Sequence, residues 1–240
     1  MSGRARLAET SLTSRVLATW SLGIPSIGGK HVKIESQSHE ARNMQDYTDQ
    51  ISTLGSAEVF FAALRDLHTS PYIAGDAKTT VDTLKMIIDQ SNSRSVVAGG
   101  LTVPGKMLVE AALKGTKHSF VEDLRPSEAV GVISKADLGI SWARYGAARQ
   151  GALVEIAYDD AVKLVSSLPR VSVFLLSSKN LFPDLPSAVM RIAETLRSAG
   201  DKKPVVSIIS GPSKTADIEL RLLYGVHGPH ELHVLLLDWI

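Results

Sequence analysis

Hydrophobic and polar residues alternate with two different spacings from about residue 56 onward, and the spacing identifies the elements. Apolar residues three and four positions apart predict helices at residues 57–68, after Asp76 or Thr79, at Pro104, after Asp159 and after Asp184. Short apolar runs predict strands at residues 71–74, 95–98, 118–121, 130–133, 152–157, 171–176, 205–209 and 232–237. Strands that alternate with helices are typical of βαβ units. The sequence therefore predicts an α/β fold with a mostly parallel sheet and flanking helices.

The first 55 residues do not share this pattern. Residues 31–49 are polar and charged with little periodicity, and a short helix is predicted only around residues 45–54. No low-complexity linker separates the later elements. We therefore predict an N-terminal extension over residues 1–55, mainly helical, followed by one α/β domain over residues 56–240.

The composition excludes several classes of protein. The 240 residues include no cysteine, so this chain has no thiolate for a disulfide, a cysteine zinc site, a catalytic thiol or an iron–sulfur cluster. Lys and Arg total 26 against 25 Asp and Glu, and a net charge of +1 gives no basic field for nucleic acid. The longest uncharged N-terminal stretch, residues 16–29, is shorter than the ~20 apolar residues of a membrane span and contains Pro25. We expect a cytoplasmic protein with no membrane span and no nucleic acid partner.

A glycine-containing loop at Gly211–Asp217 directly follows the predicted strand at residues 205–209. Backbone N–H groups in such a loop, with the hydroxyls of Ser213 and Thr215 and the charge of Lys214, suit a small anion. The second glycine of a Walker A loop is missing before the lysine. The competing interpretation is a helix N-terminus that Ser213 or Thr215 caps and whose dipole Asp217 complements. The residues leave both interpretations open.

Three histidines, His227, His230 and His233, recur at a spacing of three near the C-terminus. The Gly228-Pro229 pair prevents a continuous helix, so this spacing does not bring the three rings together. We therefore predict a turn rather than a metal site. In that turn one histidine is a polar contact for a ligand or a buried group with a satisfied hydrogen bond.

Two further glycine-rich stretches could serve either a ligand site or simply a turn or loop of the fold. Gly99-Gly100 lies between a predicted strand and a predicted helix, where it allows either close approach of a ligand or a simple tight turn. A full GxGxxG pattern is absent, so a dinucleotide site is not supported. Residues 144–153 mix arginines with glycines and are predicted to form a loop.

The string GPSKTADIE at Gly211–Glu219, followed by GVHGP at Gly225–Pro229 and an apolar strand at residues 232–237, resembles the C-terminal signature of the LUD-domain family. That family includes the lactate utilisation proteins C. The string GVISKAD at Gly131–Asp137 and the glycine turn at Gly151 are similar to the family's middle segment. The resemblance covers about residues 95–240.

The resemblance implies a fold similar to that of ribose-5-phosphate isomerase, glucosamine-6-phosphate deaminase and the CoA-transferases. It also implies an accessory subunit of a lactate (2-hydroxy acid) utilisation system, which binds a small anion and docks to iron–sulfur subunits. Because this chain has no cysteine, we expect iron–sulfur clusters only in those partners and no cofactor of its own. The ligand-binding residues that we predict are Gly151, Gly211, Ser213, Lys214, Thr215, Asp217, Glu219, His227 and Gly228. No catalytic residue is identified.

One departure from the family pattern keeps two alternatives open. Family members commonly have an acidic residue and a threonine before the turn glycine, where this sequence has Arg149 and Gln150. One alternative, which this departure supports, is a degenerate binding domain. The other alternative is a stand-alone enzyme on a phosphorylated or carboxylated metabolite, with Asp217 or Glu219 as acid/base and Lys214 holding the anion. A homo-oligomer also stays open.

Overall fold

A computed structural model describes residues 56–216, 222–225 and 227–240. The predicted extension over residues 1–55 and its helix at residues 45–54 lie outside the described residues. The division of the chain at residue 56 therefore stays a prediction. No helix among the described residues is long and apolar enough to cross a membrane.

The described residues form six α-helices, two short 3₁₀ helices (Val121–Asp123 and Ser178–Asn180) and twelve strands, and the α-helices and strands are numbered in chain order. The helices are α1 (56–66), α2 (Ala77–Gln90), α3 (Val103–Ala112), α4 (Pro126–Ile133), α5 (Asp160–Ser167) and α6 (Leu185–Ser198). The strands are β1 (Ser70–Ala74), β2 (Ser95–Ala98), β3 (Lys117–Phe120), β4 (Leu138–Trp142), β5 (Tyr145–Ala147), β6 (Ala152–Ala157), β7 (Val171–Ser177), β8 (Leu181–Phe182), β9 (Val205–Ile209), β10 (Lys214–Ala216), β11 (Leu222–Tyr224) and β12 (Glu231–Leu237).

The larger sheet has six strands in the order β1-β12-β7-β4-β2-β3, and every neighbouring pair is parallel. Its central strands β7 and β4 are buried on both faces, as strands of a parallel sheet covered by helices are. Helices α2 and α3 cover one face, with Leu84, Ile87 and Leu108 in an aliphatic core. These observations confirm the predicted α/β fold with a mostly parallel sheet.

The smaller sheet has the order β8-β5-β6-β9, with antiparallel pairs β5–β6 and β6–β9. Leu153 of β6 packs with Phe174 and Val234 of the larger sheet, so the two sheets share a core. Helix α1 closes this core with Phe60 and Leu64. The two sheets therefore face each other over a layer of buried side chains.

The predicted helix caps form as expected because their hydrogen bonds are local in sequence. Asp76 accepts from the backbone N–H of Thr79 at 2.7 Å, and Asp184 accepts from that of Ser187 at 3.0 Å. Asp159 caps α5. These caps satisfy N–H groups that the first turn of a helix leaves without partners.

The predicted strand at residues 130–133 is wrong, because these residues form the last turns of α4. A run of four apolar residues is compatible with either element, and Pro126 starts a helix here. The strand in this region is β4, which the pattern missed. The Asp137 carboxylate accepts hydrogen bonds from the backbone N–H groups of Arg94 and Ser95, both at 2.9 Å, and so attaches the start of β4 to β2.

Two predictions about loops are also corrected. The helix N-terminus considered for the Gly211 loop is wrong, because Lys214–Ala216 is the strand β10, which pairs antiparallel with β11. The predicted loop at residues 144–153 contains the strand β5 and the first residues of β6. In both places the strand is defined by pairing, of β10 with β11 and of β5 with β6 and β8.

Helix α5 crosses directly over the larger sheet at Gly139. A Cβ atom at this position would lie 2.0 Å from the Val165 carbonyl oxygen, so no side chain fits between the helix and β4. On the same face Val165 packs with Val97 and Ile133. This contact fixes the position of α5, whose polar face contributes to the site described next.

Candidate functional site

The two motifs of the C-terminal signature meet in space through backbone hydrogen bonds. The Ser213 N–H donates to the Pro229 carbonyl at 3.0 Å, and the Gly225 N–H donates to the Ser213 carbonyl at 2.9 Å. The His227 N–H lies 3.4 Å from Ser213 Oγ. Ser213 therefore joins the GPSK loop to the GVHGP loop.

These loops form one side of a cavity of about 450 Å³, which we call the signature cavity. The other sides come from α5, from the end of β9 and from the start of β12. Its lining residues are Lys163, Ser166, Ser167, Ser207, Ile208, Ile209, Ser210, Gly211, Ser213, His227, Gly228, Pro229 and Leu232. The cavity lies beside the amino end of β12, on the side of the larger sheet that faces α5.

The chemistry of the signature cavity favours a small anion. Five of the thirteen lining residues are serines, and Lys163 and His227 add a cation and a titratable ring. The described lining residues include no carboxylate. Lys163 Nζ lies 3.8 Å from Asp160 Oδ1, but this pair is largely exposed and therefore weak. A ligand with several oxygen acceptors and a negative charge matches these groups.

Glu155 of β6 is a buried carboxyl group behind the wall of the signature cavity. Its residue is 2% exposed, and Oε2 accepts a hydrogen bond from Ser166 Oγ at 2.8 Å. Glu155 pairs with Ser207 across β6 and β9, which places both side chains on one face of the smaller sheet. Ser166 and Ser207 both line the cavity, so their side chains separate the Glu155 carboxyl from it.

Burial raises the pKa of the Glu155 carboxyl to about 7. The hydroxyls of Ser166 and Ser141 and the charge of Lys163 oppose this rise in the pKa. No hydrogen bond of standard geometry joins Ser141 to the carboxyl, and Glu155 Oε1 has no partner among the described residues. The group is therefore able to exchange a proton near neutral pH.

A second cavity of about 480 Å³, the strand-end cleft, lies outside the carboxyl ends of β2, β4 and β6. Its lining residues are Gly100, Leu101, Thr102, Glu122, Trp142, Arg144, Ile156, Tyr158, Asp159, Val162 and Thr195. The Gly100 N–H donates to Glu122 Oε1 at 2.7 Å, so a protein carboxylate already occupies this backbone donor. The charged residues are of mixed sign, with one arginine against two carboxylates.

A comparison with protein families matches residues 57–237 to a model described as the LUD domain. The chain belongs to the LUD-domain family. It is 27% identical to YkgG of Escherichia coli (strain K12), over 88% of this chain and 93% of that protein. It is 26% identical to lactate utilization protein C of Exiguobacterium sp. (strain ATCC BAA-1283 / AT1b), over 72% of this chain and 73% of that protein. The predicted family is therefore confirmed.

Among solved structures, this LUD domain is similar to a DUF162 family protein from Deinococcus radiodurans. The TM-score is 0.57 at 14% identity, and the match covers 77% of this chain and 98% of that one. At this identity the likeness concerns the fold alone. It agrees with the parallel sheet and helices described above.

Four of the ligand-binding residues predicted for this LUD domain line the signature cavity together, namely Gly211, Ser213, His227 and Gly228. Lys214 is an exposed residue of β10 and is not among the lining residues. Thr215 lies beside it in β10. Asp217 and Glu219 lie outside the described residues. The ligand-binding role of all these residues stays a prediction.

Two glycines of the family motifs, Gly151 and Gly211, are required by close packing. A Cβ atom at Gly151 would lie 2.9 Å from Leu67 Cδ1 and 3.0 Å from the Ala63 carbonyl carbon. A Cβ atom at Gly211 would lie 2.9 Å from the Leu67 carbonyl oxygen. Both glycines have positive φ angles, 54° and 89°. They allow the end of α1 to pack closely, and Gly151 does not line the signature cavity.

The turn that departs from the family pattern contacts α6. Gln150 Oε1 accepts a hydrogen bond from the backbone N–H of Leu185 at 2.9 Å, and the Gln150 carbonyl accepts one from Ser210 Oγ at 3.1 Å. The Arg149 N–H donates to the Pro183 carbonyl at 3.1 Å. Neither Arg149 nor Gln150 lines the signature cavity.

The three C-terminal histidines have three different environments. His227 lines the signature cavity, and the ring of His230 lies against Gly225. His233 is buried in β12, with Nδ1 3.3 Å from the Tyr72 hydroxyl. Burial lowers the pKa of His233 against the opposing charge of Glu231. Among the described residues, no three His, Asp or Glu side chains are grouped as metal ligands would be.

The sequence analysis missed the contribution of α5 and of Glu155. The signal for α5 is the spacing of Lys163, Ser166 and Ser167, which places polar side chains on one helix face. The signal for Glu155 is a charged residue inside the apolar strand 152–157. The partner elements that turn these residues into a site are distant in sequence.

Proposed function

We propose that this LUD domain is an accessory subunit of a lactate, or related 2-hydroxy acid, utilisation system. It binds a small anion in the signature cavity and docks to iron–sulfur oxidoreductase subunits. The observation that carries the proposal is the signature cavity, where both family motifs meet five serine hydroxyls, Lys163 and His227. The names of the relatives point to lactate utilisation.

The absence of cysteine supports the proposed division of labour. Iron–sulfur clusters are held by cysteine thiolates, and this sequence of 240 residues has none. A chain of this kind contributes ligand binding or docking while partner subunits carry the electrons. The proposed cofactor assignment is therefore iron–sulfur clusters in the partners and none in this chain.

The proposed anion site is tested by calorimetric titration with L-lactate, pyruvate and sulfate. We expect at least one of these anions to bind, and Lys163→Ala to weaken that binding about tenfold because it removes the cation of the cavity. Lys85→Ala, at an exposed position of α2, is the matched control with unchanged affinity. Equal affinities in all three proteins, or no binding, would contradict the anion site.

The proposed partners are tested in the native host. A tagged copy of the full chain is expected to co-purify with iron–sulfur proteins from cells grown on lactate, and deletion is expected to slow growth on lactate but not on glucose. Purification of the tagged chain alone, together with unchanged growth on lactate, would contradict the proposed role.

A further inference from the structure

A polar cluster formed by Glu155 of β6, Ser141 of β4 and Ser166 of α5 is buried behind the signature cavity. Within it, Glu155 Oε1 and Ser141 Oγ are buried and make no hydrogen bond of standard geometry among the described residues, although the Ser141 hydroxyl is close enough to lower the pKa of Glu155. Ser141 is a fully buried residue of the larger sheet. Buried polar atoms without partners are rare because each one costs folding free energy. The cluster therefore calls for an explanation beyond packing.

Ser166 connects the cluster to the signature cavity through its hydroxyl. This hydroxyl lies 2.8 Å from Glu155 Oε2 and 3.0 Å from the Lys163 carbonyl, and the residue lines the cavity. A serine hydroxyl has one hydrogen to donate. While Glu155 is ionised and accepts that hydrogen, Ser166 has none to offer to an anion in the cavity.

We propose that the signature cavity binds its anion together with one proton, and that Glu155 holds this proton. The inference rests on the proposed anion site and names the group that couples anion binding to proton binding. Protonated Glu155 donates its own hydrogen to Ser166 Oγ. The Ser166 hydrogen, released from Glu155, then turns from the Lys163 carbonyl, 3.0 Å away, to the anion. Ser166 therefore reverses its role between the empty and the occupied cavity.

Electrostatics favours the same coupling. An anion in contact with Ser166 and Ser207 is separated from the Glu155 carboxyl only by these two side chains. The negative charge of the anion repels that of ionised Glu155 and so favours the protonated carboxyl. Because burial already raises the pKa of Glu155 to about 7, little further stabilisation of the protonated form is needed.

The other charged groups around Glu155 are few. On α5, Lys163 favours the ionised carboxyl, and Asp160 is the ion-pair partner of that lysine. The residues that face Glu155 from β9 and β4, Ser207 and Ser141, are uncharged. Across the cavity His227 is the remaining titratable group among the described lining residues. Any test must therefore separate Glu155 from His227.

The experiment is calorimetric titration of the full chain with L-lactate, pyruvate and sulfate, in buffers of different ionisation enthalpy at pH 6, 7 and 8. None of these anions titrates in that range. For the wild type we expect proton uptake that approaches one per anion bound at pH 8. We also expect the affinity to fall by up to about tenfold per pH unit above pH 7.

Glu155→Gln keeps the size of the side chain and its hydrogen-bonding capacity but cannot titrate. We expect this variant to bind the anion with no proton uptake attributable to residue 155 and with a much flatter pH profile. The matched control is His227→Gln, which is expected to keep the uptake at pH 8 even where its affinity is lower. Uptake retained in Glu155→Gln and lost in His227→Gln would overturn the inference and assign the proton to His227.

Ser166→Ala supplies a second variant in case Glu155→Gln does not fold. The Ser166 hydroxyl lowers the pKa of Glu155, so its removal is expected to move the decline in affinity to a higher pH. An unchanged pH profile would overturn the coupling. Wild-type binding without any proton uptake would overturn this inference alone, whereas a failure of all three anions to bind would overturn the anion site as well.

Discussion

The signature cavity and the strand-end cleft are similar in volume, at about 450 and 480 Å³, but differ in chemistry. The cleft lies where ligands usually bind in open α/β sheets, outside the carboxyl ends of the strands. Its Gly100 N–H, however, is already bound to Glu122, and its charges are mixed. The signature cavity lies near the other end of the sheet, and its described lining combines five serines and Lys163 with no carboxylate. The comparison shows that position in the fold is a weaker guide to an anion site than the charge balance of the lining.

The largest effect that we expect concerns Glu155 and the pH dependence of stability. The folded state raises the pKa of this carboxyl from 4.5 to about 7, so it holds a proton that the unfolded chain releases. The free energy of unfolding should therefore fall between about pH 4.5 and pH 7, by about 3 kcal/mol in total, and stay level above that range.

Urea unfolding of the wild type and Glu155→Gln at pH 5 and pH 8 measures this effect. Because part of the effect is already lost at pH 5, we expect the stability difference between the two proteins to shift by about 2.5 kcal/mol in favour of the variant at pH 8. A difference that is the same at both pH values would show that Glu155 titrates in its ordinary range.

A smaller effect is expected at Gly139, which seats α5 on the larger sheet. Gly139→Ala places a Cβ atom against the Val165 carbonyl oxygen, so the helix must shift. We expect a loss of about 2 kcal/mol in the free energy of unfolding, together with weaker anion binding in the signature cavity. Gly131→Ala is the control, because a Cβ atom there meets nothing within 4 Å. Equal stability of the two variants would contradict the close approach of α5.

The strand-end cleft offers a third test, through the bond between Glu122 and the Gly100 N–H. Glu122→Ala removes this acceptor, and we expect a loss of about 1 kcal/mol in urea unfolding. Anion affinity in the signature cavity should not change. A reduced affinity would show that the two cavities are coupled more strongly than their separate lining residues indicate.

The smallest effect is expected for Arg144→Ala, which removes the arginine of the strand-end cleft. We expect the affinity for the anion that binds in the signature cavity to change by less than about twofold, since Arg144 does not line that cavity. A tenfold loss in the titration would move the anion site to the cleft and reverse the comparison.

The elements that the sequence predicted are those whose signals are local. Asp76 and Asp184 cap their helices through residues three positions away, so the pattern locates α2 and α6. The strand β4 was missed because its identity depends on pairing with β2 and β7. The strand β10 was not predicted for the same reason, because three residues read as a strand only once they pair with β11.

The candidate site was predictable only in part. The family resemblance pointed to Gly211, Ser213, His227 and Gly228, which the fold brings to one cavity. Glu155 stands out in the sequence as a charged residue inside an apolar strand, but its place behind the cavity was not predictable, because that place follows from the pairing of β6 with β9 and from the position of α5. Gly151 illustrates the opposite case, in which a motif residue serves the packing of α1.

Helix α5 forms a wall of both cavities. Val162 faces the strand-end cleft, whereas Lys163 and Ser166 face the signature cavity. An eight-residue helix is about 12 Å long, so a single short element supplies side chains to both sites. Because its seat on Gly139 leaves no room for a Cβ atom, the spacing of two separate binding surfaces depends on one glycine that lines neither of them.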